Sequence, residues 1–202
     1  MDIVGFALAV LLIELTPGPN MAWLAGLAAT EGRRAGFAAV AGVAIGLLAN
    51  GVLAALGLAA LLEARPGLLA GLRLAGAAMM VWLAVETWRG TGAAAAPRIA
   101  GRVERRAFVA GALINLLNPK AYLFFVVVAP QFLGGAALAL SPALLLAGVS
   151  AAIATLIHSA IVAAGSRAQA WLADPARTRL VRRLFAVLIL GIAVSFLLPL
   201  VD

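Results

Sequence analysis

The chain has no cysteine, a single histidine and only eight acidic residues among its 202. Without thiols there is no disulfide framework, no thiol redox chemistry and no thiolate metal site. One imidazole and a few scattered carboxylates are also too sparse for a metal-dependent membrane enzyme or a metal-cation efflux protein, which need several convergent ligands. No cofactor is expected, and the chain reads as a non-enzyme. Charge of either sign is scarce as well: 11% of residues are charged against 65% hydrophobic, with a mean hydropathy of +1.11. A soluble domain is about 45–50% apolar. So little polar surface cannot cover this interior in water, so the surrounding solvent must be hydrocarbon, which favours long apolar helices and penalises open backbone. The lipid bilayer is therefore the first partner.

Apolar runs of about 20 residues, the length that crosses a bilayer, predict six transmembrane helices at roughly 3–29, 36–62, 66–88, 107–131, 142–165 and 178–201. The expected fold is an all-α integral membrane protein, one transmembrane domain over residues 1–202. Met1-Asp2-Ile3-Val4 puts no basic residue ahead of the first run, so that run reads as a retained helix rather than a signal peptide. The net charge of +7 does not indicate nucleic acid, because the arginines sit between apolar runs instead of on a hydrated face. Arg33, Arg34, Arg89, Arg98, Arg102, Arg105, Arg106, Arg167, Arg177, Arg179, Arg182 and Arg183 fall in the first, third and fifth connections. Only Arg65 and Arg73 fall on the opposite side. Positive loops stay in the cytoplasm, which puts both termini on the non-cytoplasmic side.

Three spans followed by three more make the halves enter the membrane with opposite polarity, a 3+3 inverted repeat. Repeat 1 covers about 1–90, a cytoplasmic linker about 89–106, and repeat 2 about 107–202. Helices 1 and 4 are both interrupted near the midplane, by Thr16-Pro17-Gly18-Pro19-Asn20 and by Asn118-Pro119-Lys120. Paired interruptions at corresponding positions of two halves point to a transporter binding site at the bilayer centre. An ordinary proline kink explains one such break, but two in symmetry-related helices favour a built site. Proline within a helix costs about 3 kcal/mol, so the broken segments should be buried or line a wet cavity. Asn118-Pro119 and Thr16-Pro17 each read as a helix restart, an N-cap followed by the favoured first residue. Their free N–H groups would bind a carboxylate.

Lys120 lies in the first turn of such a restart, against the helix dipole and deep in the membrane, and requires something negative nearby. Glu14, the one acidic residue in the middle of a span, is a candidate partner; a substrate carboxylate is another. The pair is either a structural ion pair or a resting-state bridge that substrate or a proton displaces. Among other polar residues in spans, Asn50, Asn115, Thr155 and His158 suit hydrogen bonds between helices. His158 could instead relay protons. Gly42 and Gly46 have the spacing of close helix packing, within a protomer or in a homo-oligomer. Trp82, Trp88, Tyr122 and Trp171 read as packing or interfacial anchors.

Leu15-Thr16-Pro17-Gly18-Pro19-Asn20 together with Asn115-Leu116-Leu117-Asn118-Pro119-Lys120-Ala121, in a six-span chain of this length, resembles the LysE/RhtB amino-acid exporter family. Gly32-Arg33-Arg34-Ala35-Gly36 and Leu74-Ala75-Gly76-Ala77-Ala78 resemble its first loop and third helix. The resemblance covers essentially the whole chain. It implies export of amino acids or similar small carboxylate-bearing metabolites across a bacterial inner membrane, driven by proton antiport. Substrate binding then falls on Thr16, Pro17, Gly18, Pro19, Asn20, Asn118, Pro119 and Lys120. Many members carry an acidic residue and a histidine in helix two, where this chain has Leu47 and Asn50. That departure motivates Glu14 as the coupling acid, with Asn50, Asn115 and His158 as second-shell or coupling residues. The scarcity of acidic residues favours neutral over dibasic amino acids as cargo.

Overall fold

The apolar runs of the sequence become helices in the computed structural model, which describes residues 1–15, 19–57, 61, 64–89, 101–118, 121, 124–133, 140–167 and 174–197. In chain order these are α1 (Ile3–Leu15), α2 (Pro19–Glu31), α3 (Arg33–Ala55), α4 (Pro66–Arg89) and α5 (Arg102–Leu116). A π turn at Phe124–Val128 and a 3-10 turn at Ala129–Leu133 follow, then α6 (Leu140–Arg167) and α7 (Pro175–Leu197). Three of the helices are long and apolar enough to cross a membrane: α3, the Ala70–Arg89 part of α4, and α6. The pair α1 and α2, inclined at 57°, qualifies together as a fourth.

Local chemistry explains several boundaries. Asp2 Oδ1 accepts the Gly5 N–H at 2.9 Å and Asp174 Oδ1 the Ala176 N–H at 2.8 Å, so carboxylates occupy the starts of α1 and α7. Between α3 and the next segment, Gly57 takes φ +88°, a left-handed position that ends a helix without a Cβ penalty. Two expectations change. α3 stops at Ala55 rather than near 62, and α5 begins at Arg102, inside the stretch read as linker. Arg102, Arg105 and Arg106 lie beyond the apolar run, yet arginine is a good helix former and extends the helix. The expected helix over 107–131 is also not uniform, since α5 ends at Leu116 and the chain beyond it passes through π and 3-10 turns. Such turns are frequent at functional sites.

Packing centres on α3, which lies against α5 and α6; α4 packs on α7, and α2 touches α3, α6 and α7. The α3–α5 contact is backbone to backbone. A Cβ at Gly42 would overlap the Phe108 carbonyl, one at Gly46 would come within 2.8 Å of the Ala112 carbonyl oxygen, and one at Gly111 would overlap that of Ala39. The expected small-residue packing of Gly42 and Gly46 thus operates within the protomer.

The buried apolar residues divide into two clusters. One holds Trp23 and Leu24 of α2, Ala35, Ala39 and Val40 of α3, Met80 and Leu83 of α4, Ile114 of α5, Val162 of α6 and Ile189 of α7. The other holds Phe6 and Val10 of α1, Leu47 and Ala54 of α3, Phe124, Phe125 and Leu146. Phe6 meets Phe124 and Phe132 with ring centroids 5.4 and 5.7 Å apart. The buried polar side chains lie among and between these clusters.

Candidate functional site

On α6, His158 falls between Ala154 of the second cluster and Val162 of the first. Glu14 and Asn20 stand between Val10 and Trp23, and Asn115 directly follows Ile114. Five polar residues are buried among the described residues: Asn115, Asn118 and His158, with Asn50 and Ser150 set among residues of the second cluster, none more than 6% exposed. Burial of an amide without a partner costs about 1–3 kcal/mol, so each hydrogen bond here carries information.

Asn20, in the first turn of α2, donates from Nδ2 to Asn115 Oδ1 at 3.2 Å. Asn50 of α3 donates from Nδ2 to the Asn115 main-chain carbonyl at 3.0 Å, and the Asn118 N–H reaches the same carbonyl at 3.1 Å. That carbonyl belongs to the last turn of α5, where the Asn118 N–H closes the helix end and Asn50 brings a second donor to the same oxygen from a neighbouring helix. Three helices, α2, α3 and α5, therefore meet at one amide cluster. It is incompletely satisfied: among the described residues Asn20 Oδ1, Asn50 Oδ1 and Asn115 Nδ2 have no hydrogen-bond partner.

A second polar contact bridges α1 and α6. His158 Nε2 lies 3.5 Å from Glu14 Oε2, with the imidazole 2% and the carboxylate 24% exposed. His158 Nδ1 has no hydrogen-bond partner among the described residues. The two titratable residues singled out in separate spans are thus neighbours. Thr16, Pro17, Gly18, Pro119 and Lys120 lie outside the described residues, as do Tyr122 and Trp171. So does the expected Glu14–Lys120 pairing. α2 opens at Pro19, whose side chain is outside the described set, and the restart expected at Thr16-Pro17 lies outside the described residues. Asn118 is buried just beyond α5.

Some polar features escaped sequence reasoning. Ser150 Oγ of α6 is buried without a partner among the described residues; a hydroxyl in mid-run was the available signal. At the arginine-rich end, Glu31 pairs with Arg182 at 3.3 Å, the side chains 8% and 12% exposed. Glu86 pairs with Arg106, whose guanidinium also covers the Trp82 ring at 5.7 Å, and Arg183 covers Trp88 at 5.3 Å. These contacts tie α2 to α7, α4 to α5 and α4 to α7. Sequence separation hid them.

Buried polar residues that join helices inside an apolar bundle suit a membrane translocator. The model of the LysE type translocator family matches residues 11–199, and the chain belongs to that family. It is 34% identical over 173 residues to an uncharacterized membrane protein of Pseudomonas aeruginosa, covering 82% of this chain and 80% of the relative. It is 28% identical over 178 residues to a homoserine/homoserine lactone efflux protein of Salmonella typhi, 88% and 86% of the two chains. A threonine efflux protein of the same organism is 29% identical over 125 residues, 59% of this chain and 61% of the relative. No solved structure matches significantly. The chain is a multi-pass membrane protein of an exporter family.

Proposed function

We propose that the chain exports amino acids or related small carboxylate-bearing metabolites by proton antiport, from a site in the middle of a bacterial inner membrane. The observation that carries this reading is the amide cluster, where the start of α2 and the end of α5 share a hydrogen bond and leave three buried polar atoms without partners. A structural cluster has every reason to satisfy its members; one that meets a polar cargo holds groups in reserve.

The six spans are α1 with α2, α3, α4, α5 with the segment after it, α6 and α7, arranged as a 3+3 inverted repeat in a single domain. Its halves are about 1–90 and 107–202, joined through 89–106. The packing supports the symmetry: α3 meets its counterpart α6, α4 meets α7, and the contact of α2 with α6 is mirrored by that of α5 with α3. The arginine-rich connections lie in the cytoplasm and both termini outside it.

In this reading Thr16 to Asn20 and Asn118 to Lys120 hold the cargo carboxylate with helix-start amides and the Lys120 ammonium. Asn115 supports them. Glu14 carries the exchanged proton with His158 beside it, in place of the acid and histidine that Leu47 and Asn50 displace from helix two. The names of the efflux relatives, homoserine and threonine, agree with a small neutral cargo. Counterflow of radiolabelled amino acids into proteoliposomes, with and without a pH gradient, tests the proposal. Saturable exchange of at least one small neutral amino acid, accelerated by the gradient, is expected. No exchange of any carboxylate-bearing compound would defeat it.

A further inference from the structure

We propose that Asn50 is the residue that recognises the ammonium group of the cargo, an assignment that rests on the binding site of the export reading. The reasoning starts from the direction of its amide. Asn50 Nδ2 donates to the Asn115 main-chain carbonyl, which can only accept, so the side chain cannot be turned round. Its Oδ1 is thereby fixed away from that carbonyl, fully buried and without a donor among the described residues. The neighbouring pair behaves differently but adds to the same set. Asn20 and Asn115 share one amide–amide hydrogen bond, and whichever way the two are turned, one oxygen and one NH2 group remain over.

The cluster therefore offers two buried acceptor oxygens and one buried donor group among the apolar residues of the bundle. An ammonium brings three donors and no acceptor, and a carboxylate brings acceptors only. A zwitterion meets the whole set. A 2-hydroxy acid lacks the ammonium and cannot supply both oxygens as well, and a decarboxylated amine leaves the NH2 group and the helix-start amides unmet. A neutral oxygen also suits the place, because Glu14 already faces His158 at 3.5 Å. Leucine or aspartate at position 50 would change this reading in opposite directions.

Equilibrium binding to the purified full-length chain in detergent tests the assignment, using the L-amino acids, their 2-hydroxy acids and their decarboxylated amines as probes. The best amino acid is expected to bind at least about tenfold more tightly than either truncated analogue, as sites built to hydrogen-bond a group discriminate strongly against its loss. In Asn50→Leu the preference over the hydroxy acid should fall to within about twofold, the hydroxy acid's own affinity holding. Should Asn50→Leu fail to fold, Asn50→Asp decides: its anionic oxygen should raise amine affinity about tenfold, which a purely structural amide would not do. Equal wild-type affinity for amino and hydroxy acids, or an unchanged amine affinity in Asn50→Asp, would overturn the assignment. A preference that tracks residue 50 without vesicle counterflow would sink the export reading and leave this one standing, whereas no binding of any probe would end both.

Discussion

At the scale of single residues, the site is an exercise in what a buried polar group does when its partner is elsewhere. Asn50 adds a donor from α3 to the Asn115 carbonyl at the end of α5, and a hydrogen bond between membrane helices contributes about 0.6 kcal/mol on average. Glu14 and His158 face each other across α1 and α6 at 3.5 Å. If Glu14 carries the proton, Glu14→Gln keeps the shape and hydrogen-bonding capacity of the side chain but cannot ionise. The variant should still exchange amino acid for amino acid across vesicles while losing the acceleration by a pH gradient, measured as tracer flux with and without the gradient. Gradient-driven flux at the wild-type level over a range of pH would remove Glu14 from the coupling role. Each of these polar residues was visible in the sequence, because an ionisable or amide side chain within an apolar run is expensive. Their pairing was not, since Glu14 and His158 belong to opposite halves of the chain. The expected pairing of Glu14 with Lys120 lies outside the described residues; within them, an imidazole on α6 is a neighbour of Glu14.

At the scale of elements, hydropathy located the helices and misjudged their ends for identifiable reasons. α5 extends back to Arg102 because a helix tolerates arginines that an apolar window excludes, and the Arg106 side chain gains Glu86 and the Trp82 ring as partners. α3 ends at Ala55 because Leu56 and the left-handed Gly57 close it, although the apolar composition runs on. The Gly42 and Gly46 spacing was legible as close packing, but only coordinates identify α5 as the partner. At Gly42 a Cβ would strike the Phe108 carbonyl, a backbone atom that cannot swing aside, while at Gly148 it would meet open space. Gly42→Ala is therefore expected to lower stability by about 1–3 kcal/mol through overpacking. Gly148→Ala should be neutral or stabilising by up to about 1 kcal/mol, since alanine is the better helix former. Melting of the purified variants in detergent compares the two; equal effects would contradict the backbone contact between α3 and α5.

At the scale of the whole molecule, the two apolar clusters and the polar residues among them belong to one helical bundle. The Phe6, Phe124 and Phe132 rings pack at one end. The Glu31–Arg182 and Glu86–Arg106 pairs hold α2 to α7 and α4 to α5 at the other. Each end joins elements from before and after residue 101, and a site between two such closures is what the alternating access of the proposed exporter requires. The Pro-Gly-Pro and Asn-Pro-Lys segments announced this arrangement in the sequence, but the residues seen to join the halves are the flanking asparagines. The central claim is that the start of α2 and the end of α5 meet at one shared site, and the absence of native cysteine makes it directly measurable. The double substitution Asn20→Cys/Asn115→Cys, oxidised in native membranes and then cut at a protease site introduced between residues 89 and 101, should leave the two halves joined on a non-reducing gel and separated by reductant. Halves that come apart without reductant would contradict the shared site.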